Sequence, residues 1–265
     1  MESANAILEA VSDSSGALGE AAPPLRLLVD SDGGSGSRDA LALAKALAEG
    51  GEAELTFISR RALAGVQGTA GLKELAEAEG SDVIVVGSGD RGKPGRACPG
   101  SVGERVLDGV PCAVAIAPRG LAEGDPLIAE IAVGYDGSRA STVALRRAIR
   151  LAERSNASLM VLGAVEISLG LAGYETERPK NLQQSDMEHH LKRALKMVPP
   201  AISARSRLLF GSPALVILDA AKGADLLVLG SRGSYSVLRR LALGSVGKAA
   251  VRGATCPTLI TPTDS

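Results

Sequence analysis

The chain has 265 residues, 45% of them apolar, enough for one large domain or two ordinary ones with real cores. Aromatic residues are only 2% and Trp is absent, so Ala, Val, Leu and Ile must fill those cores. With 29 basic against 30 acidic residues the formal net charge is -1, which argues against broad nucleic-acid or membrane-surface binding. Cys98, Cys112 and Cys256 are too few and too scattered for a disulfide framework or a zinc cluster. Cys112 and Cys256 each precede a strand-like run and read as small buried apolar groups. No apolar run approaches the ~20 residues that span a bilayer. No Lys or Arg precedes Arg26, so the charged start of a secretory signal is missing and a cytoplasmic location is expected.

Residues 1–24 mix Ser, Gly and Ala, close on Pro23-Pro24, and read as a poorly ordered leader. Folding is expected to begin with a strand at 25–29, ending at Asp30 and Asp32. A Gly/Ser turn leads into a helix over 39–49, with Leu41, Ala44 and Leu47 on one face. Strand 53–58, helix 72–79, strand 83–86, helix 101–107 and strand 113–117 follow. The order then returns: strand 131–133 ending at Asp136, a helix over 143–154, and strand 158–162. A charged helical stretch places Leu191, Ala194, Leu195 and Val198 on one side and stops at Pro199-Pro200. Strand 226–229, a glycine turn and a helical segment from Gly244-Ser245 to near Gly253 complete the chain.

The repetition extends to single residues. Asp32 and Ala40-Leu41 recur as Asp136 and Ala144-Leu145, while Gly87, Gly100-Ser101-Val102 and Cys112 recur as Gly230, Gly244-Ser245-Val246 and Cys256. The spacing between copies grows from the first set to the second, so the second half carries extra chain, assigned to a crossover segment at 166–204. In a β-α-β repeat such a segment supplies one crossover helix and the strand after it. The expected organisation is a trimmed copy at 25–120 and a complete copy at 128–263, each a parallel sheet with helices on both faces.

The stretch 224–250 carries the chemistry. A short apolar strand delivers Gly230-Ser231-Arg232-Gly233, and Gly244-Ser245 opens a helix. Backbone N–H groups at a helix start lack internal partners, and the helix dipole favours negative charge there, so a phosphate-binding turn is expected. The Asp136 turn and the Gly230 turn both end parallel strands, where ligands of open α/β sheets bind. Gly137-Ser138 also reads as a plain strand-to-helix turn, with Ser138 as a cap.

The C-terminal half resembles a universal stress protein domain. The residues that carry the likeness are 131–138 (IAVGYDGS), 224–233 (ADLLVLGSRG), Gly244-Ser-Val-Gly247 and 256–262 (CPTLITP). Nucleotide-binding members of that family carry Gly-x2-Gly-x9-Gly-Ser/Thr. The resemblance implies a Rossmann-like or flavodoxin-like fold of the adenine nucleotide alpha hydrolase-like type, two such α/β domains in tandem, sheet order 3-2-1-4-5, and pairing through the last strands. It implies adenosine near Gly134, Tyr135, Asp136 and Val165, with phosphates at Gly230, Arg232, Gly233, Gly244, Ser245 and Val246 and Leu229 among the nucleotide-binding residues. It further implies ATP, with Mg²⁺, as the ligand, AMP, ADP or cyclic AMP suiting the same crevice, and a homodimer or an internal pseudo-dimer as the assembly.

Two departures stand out. Ten residues, 234–243, separate Gly233 from Gly244 where the family pattern has nine, and the added residue either bulges out or displaces Ser245. In the N-terminal copy the second glycine is Asp90, which would repel a triphosphate, and Arg61 stands where Val165 does. Ser101-Val-Gly-Glu104 there spells a capping box, whereas Lys248 occupies the place of Glu104 in the other copy. The N-terminal site therefore reads as degenerate.

Other motifs reduce to simpler readings. Gly87-Ser-Gly-Asp-Arg-Gly92 satisfies GxGxxG but does not follow the first strand of its unit. Extended to Lys93 it approaches a Walker A loop, yet Pro94 replaces the hydroxyl that would bind Mg²⁺, leaving a basic loop of Arg91, Lys93 and Arg96. His189 and His190, the only histidines, are adjacent on a charged helix, point in different directions and read as solvated, with no metal role. No Ser/His/Asp or Cys/His set suggests catalysis, and any ATP hydrolysis is expected to be slow and incidental. The expected function is thus a stress-linked ATP-binding sensor or regulatory module. Its rivals are a nucleotide-free protein-interaction scaffold and a weak ATPase acting through Arg232 and Lys248.

Overall fold

In the computed structural model, residues 23–31, 33–58, 69–89, 94–98, 107, 111–166, 180–231 and 243–263 are described. The first half comprises β1 (Leu25–Asp30), α1 (Ser35–Ala48), β2 (Ala53–Ile58), α2 (Thr69–Ala78), β3 (Val83–Gly87) and β4 (Ala113–Ala117). The second comprises β5 (Glu130–Gly134), α3 (Arg139–Ser155), β6 (Ser158–Val165), α4 (Lys180–Lys196), β7 (Ala204–Phe210), α5 (Pro213–Ala220), β8 (Leu226–Gly230), α6 (Ser245–Gly253) and β9 (Thr258–Thr261). The leader and most of the expected 101–107 helix lie outside the described residues.

Among the described residues the strands form one nine-stranded sheet in the order β2-β1-β3-β4-β9-β8-β5-β6-β7. Every pairing is parallel except β4 with β9, where Val114, Ala115 and Ile116 face Ile260, Leu259 and Thr258. Within the second half the order is the 3-2-1-4-5 that the family resemblance implied, and the halves meet through their last strands as it also implied. That antiparallel contact removes two open sheet edges at once. Among the described residues, the first half has no counterpart of α4 and β7, which are the crossover helix and the strand after it.

Successive strand residues feed opposite faces. Leu27, Val29, Val83, Val85, Val133, Val161 and Val228 pack with Leu43 and Leu47 of α1, Leu145 and Ala148 of α3, and Leu191 of α4. Leu28, Ile84, Val86, Ile116, Met160, Leu162, Leu227 and Leu229 pack on the other side with Ala76 of α2, Ile217 of α5, and Ala250 and Val251 of α6. Parallel strands covered on both faces read as continuous apolar runs, which is why Val-Ile-Val-Val and Leu-Leu-Val-Leu fold as they do. Each fully buried Leu or Ile contributes roughly 2 kcal/mol of burial. Cys112 and Cys256 sit in this second core, where burial pushes both thiols up to about 11, as small buried apolar groups should behave.

Between the halves, Gly120 (φ +88°) opens a 3-10 turn at Leu121–Glu123. The buried Asp39 of α1 holds it, accepting the N–H groups of Gly120 (3.0 Å) and Ala122 (2.9 Å). Among the described residues no helix is long and apolar enough to cross a membrane.

Candidate functional site

β7 leads through α5 to β8, which joins β5 on the side away from β6, so strand direction of travel reverses between β5 and β8. The C-terminal ends of β5, β6 and β8 share one edge because the three strands are parallel neighbours. This edge carries Gly134, Tyr135, Asp136, Val165, Leu229 and Gly230 together. A helix that precedes a parallel strand starts at the same edge, so Gly244, Ser245 and Val246 at the head of α6 belong to it as well. Arg232 and Gly233 lie outside the described residues, as does most of the ten-residue spacer.

Of the two glycines at the reversal, Gly230 is required by close approach of backbone, while Gly134 faces only a side-chain end that can shift. A Cβ on Gly230 would meet the Ala140 carbonyl oxygen at 2.4 Å, and one on Gly134 would meet Leu229 Cδ2 at 2.6 Å. Tyr135 turns into the core, 4% exposed, and its N–H donates to Leu162 O at 2.8 Å, so its contribution to the edge is backbone. Asp136 is exposed and its Oδ1 accepts the Ser138 N–H at 3.0 Å. Gly137 takes the left-handed region at φ +79°, turning the chain into α3. Ser138 caps that helix, its Oγ accepting the Ser141 N–H at 3.2 Å.

The head of α6 is different. Gly244 is its N-cap and has no side chain to bond into the first turn, and that turn contains no acid. Ser245 and Lys248 are exposed there, and the Lys248 N–H makes the first intrahelical bond, to Gly244 O at 2.9 Å. The N–H groups ahead of it have no intrahelical acceptor, and the dipole adds partial positive charge. Such a start accepts phosphate oxygens without rearrangement.

The family model for the universal stress protein family matches the chain twice, over residues 23–118 and 128–262. The chain belongs to the universal stress protein family. A universal stress protein of Methanocaldococcus jannaschii is 32% identical over 143 residues, 52% of this chain and 84% of that protein. A putative universal stress protein of Staphylococcus epidermidis is 30% identical over 143 residues, 51% of this chain and 84% of that one. Among solved structures, a universal stress protein from Archaeoglobus fulgidus has a TM-score of 0.60 at 18% identity, covering 91% of this chain and 99% of its own, a likeness of fold.

In this universal stress protein two side chains enter the neighbourhood that sequence reasoning missed. His190 is half-buried and lies against the Asp136 turn: a Cβ on Gly137 would sit 2.6 Å from its Nδ1, which is buried without a hydrogen-bond partner. His189 beside it is exposed, so the solvated reading fits His189 and not His190. Adjacent helical residues diverge by about 100°, and only the fold shows which of the two meets the turn. Ser231, fully buried after Gly230, also has an Oγ without a partner. Among the described residues no group of three His, Cys, Asp or Glu could hold a metal ion.

The degenerate-site reading of the first half falls mainly on Arg61, Asp90 and Glu104, which are outside the described residues. What is described there is a close approach like that at Gly230: a Cβ on Gly87 would meet Gly36 O at 1.9 Å.

Proposed function

We propose that the C-terminal domain of this universal stress protein holds an adenine nucleotide, ATP with Mg²⁺, and works as a sensor or regulatory module in stress response rather than as an enzyme. The observation that carries this reading is the head of α6, which is uncapped, free of acids and placed at the reversal edge. Adenosine would lie along Gly134, Tyr135, Asp136 and Val165, with Asp136 positioned for ribose hydroxyls. The phosphates would lie on Gly230, Arg232, Gly233, Gly244, Ser245 and Val246, with Lys248 contributing charge. Leu229 supports the crevice from beneath, packed on Gly134. Mg²⁺ would ride on the phosphates, as it does where a protein offers few ligands of its own.

Two measurements test it. Purified protein is denatured and the supernatant analysed for released nucleotide, and MgATP is titrated into stripped protein by calorimetry alongside ADP, AMP and cyclic AMP. Binding of one nucleotide per chain is expected. An empty protein that gives no binding heat with any of the four would move the reading to a nucleotide-free interaction scaffold.

A further inference from the structure

A second site lies between the two halves, away from the residues assigned to the nucleotide. A cavity of about 500 Å³ separates the N-terminal ends of β1 and β3 from the second half of α3. Three arginines of α3 line it, Arg147, Arg150 and Arg154. That spacing places all three on one face of a helix. Arg147 is only 8% exposed, and its Nε has no hydrogen-bond partner. Arg154 reaches across to the first half, where its Nη2 donates to Glu52 O at 2.7 Å, while its own Nε is also buried and unpartnered. The halves touch closely here, since a Cβ on Gly50 would overlap the Arg154 carbonyl oxygen at 1.7 Å.

A guanidinium withdrawn from water with its Nε unpaired is costly, and planar oxyanions match its paired donors. We propose that this inter-domain cavity is a binding site for a compact oxyanion, a carboxylate or inorganic phosphate, gripped by Arg147. Burial disfavours the charge on Arg147 and pulls its pKa down, and the Asp82 carboxylate offsets this through space. Asp82 is itself engaged, its Oδ2 accepting the Arg26 N–H at 3.1 Å. Arg150 acts on Arg147 as a like charge, so an anion between them would relieve both. Glu52, Asp82 and Glu153 also line the cavity, so its three arginines face three carboxylates and the wall is close to neutral. The wall therefore carries no large net positive charge, which selects a small anion over a polyphosphate or nucleic acid. Because the grip comes from α3 and the opposite wall from the first half, occupancy would fasten the two halves together.

The test uses the full chain carrying Gly233→Glu, so that the glycine turn does not compete for phosphate. Sodium phosphate, sodium succinate and sodium chloride of equal ionic strength are compared by thermal shift and calorimetry. Saturable binding of phosphate, of succinate or of both is expected, and which one binds identifies the ligand's chemistry. Arg147→Met should weaken that binding about tenfold or more, and Arg147→Lys nearly as much, because a lysine cannot supply the paired donors. In a chain with the native Gly233, Arg147→Met should leave MgATP affinity unchanged. If Arg147→Met does not fold, the exposed Arg150→Gln takes its place, with a loss of about threefold expected from the missing second cation. Neither anion binding more than chloride would overturn the proposal. So would phosphate or succinate affinity unaltered by whichever variant folds.

Discussion

The two halves begin from the same elements and spend equivalent polar groups differently. Ser88, after β3, shares its one hydroxyl proton between Ala117 O at 2.6 Å and Arg96 O at 3.1 Å and accepts the Cys98 N–H at 3.0 Å, pinning the following loop to the sheet. Ser231, its repeat partner after β8, is equally buried and its hydroxyl has no partner among the described residues. In α1 the buried Asp39 is committed to the linker turn, whereas the corresponding residue of α3 is Val143. Among the described residues, the first copy has turned its polar groups inward to hold the chain together. Among the described residues, the second copy leaves a hydroxyl and a helix start uncommitted at the edge where strand order reverses.

The largest expected effects test where the halves are alike. Gly87→Val and Gly230→Val both force a side chain onto backbone, and each should cost about 3 kcal/mol or more in urea unfolding. The loss should be greater at Gly87, where the carbonyl is 1.9 Å from the new Cβ against 2.4 Å at Gly230. A tolerated Gly87→Val would show that the first half does not share this close approach. The next effect separates them. Gly233→Glu should lower ATP affinity roughly 100-fold, about 2.7 kcal/mol, while Gly92→Glu in the other copy should leave it unchanged. Equal losses in calorimetry would mean that both copies bind nucleotide.

Much of this asymmetry was legible in the sequence because it is written in glycines and apolar runs. The strands of 83–86 and 226–229 announce themselves as unbroken Val, Ile and Leu, and the observed strands extend each by one residue, to Gly87 and Gly230. α3 begins at Arg139, earlier than the apolar pattern from 143 suggests, because the Ser138 cap and not the core face sets its start. The strand β7 followed only from repeat logic: Arg205 and Arg207 alternate outward on an edge strand, so its pattern is weakly apolar. α5, Pro213–Ala220, was not anticipated, since eight residues that are mostly apolar carry no helical period. Arg147 and His190 were illegible for a different reason. Each lies on a charged helix that looks solvated in isolation, and burial comes from the opposing half in one case and the Gly137 turn in the other.

The paired serines offer a sharper probe of the same comparison. Ser88→Ala removes a hydroxyl whose one proton serves two carbonyls and whose oxygen accepts one N–H, and leaving such groups unpaired should cost about 2 kcal/mol. Ser231→Ala removes a buried hydroxyl that satisfies nothing, so stability in urea should stay within about 0.5 kcal/mol of the parent. Matching losses at the two positions would show that Ser231 has a partner in solution and that the second loop is pinned like the first.

The smallest effect lies at the two helix starts that follow β1 and β5. Ser138 satisfies the Ser141 N–H with its side chain, and its carbonyl accepts from the Ser141 and Thr142 hydroxyls at 3.0 and 2.8 Å. Ser138→Ala deletes the cap to the Ser141 N–H and the bond to the Ser141 hydroxyl, and should cost about 1 kcal/mol. The equivalent start at Gly34 has no side-chain cap, yet its backbone is extended, φ −79° and ψ −179°, a conformation open to any residue. Gly34→Ser should therefore gain a few tenths of a kcal/mol, since glycine is itself a tolerable cap and the new hydroxyl improves on it only slightly. A loss at Gly34 in place of that gain would mean that something other than capping geometry keeps glycine there. The two starts would then differ in packing as well as in hydrogen bonding.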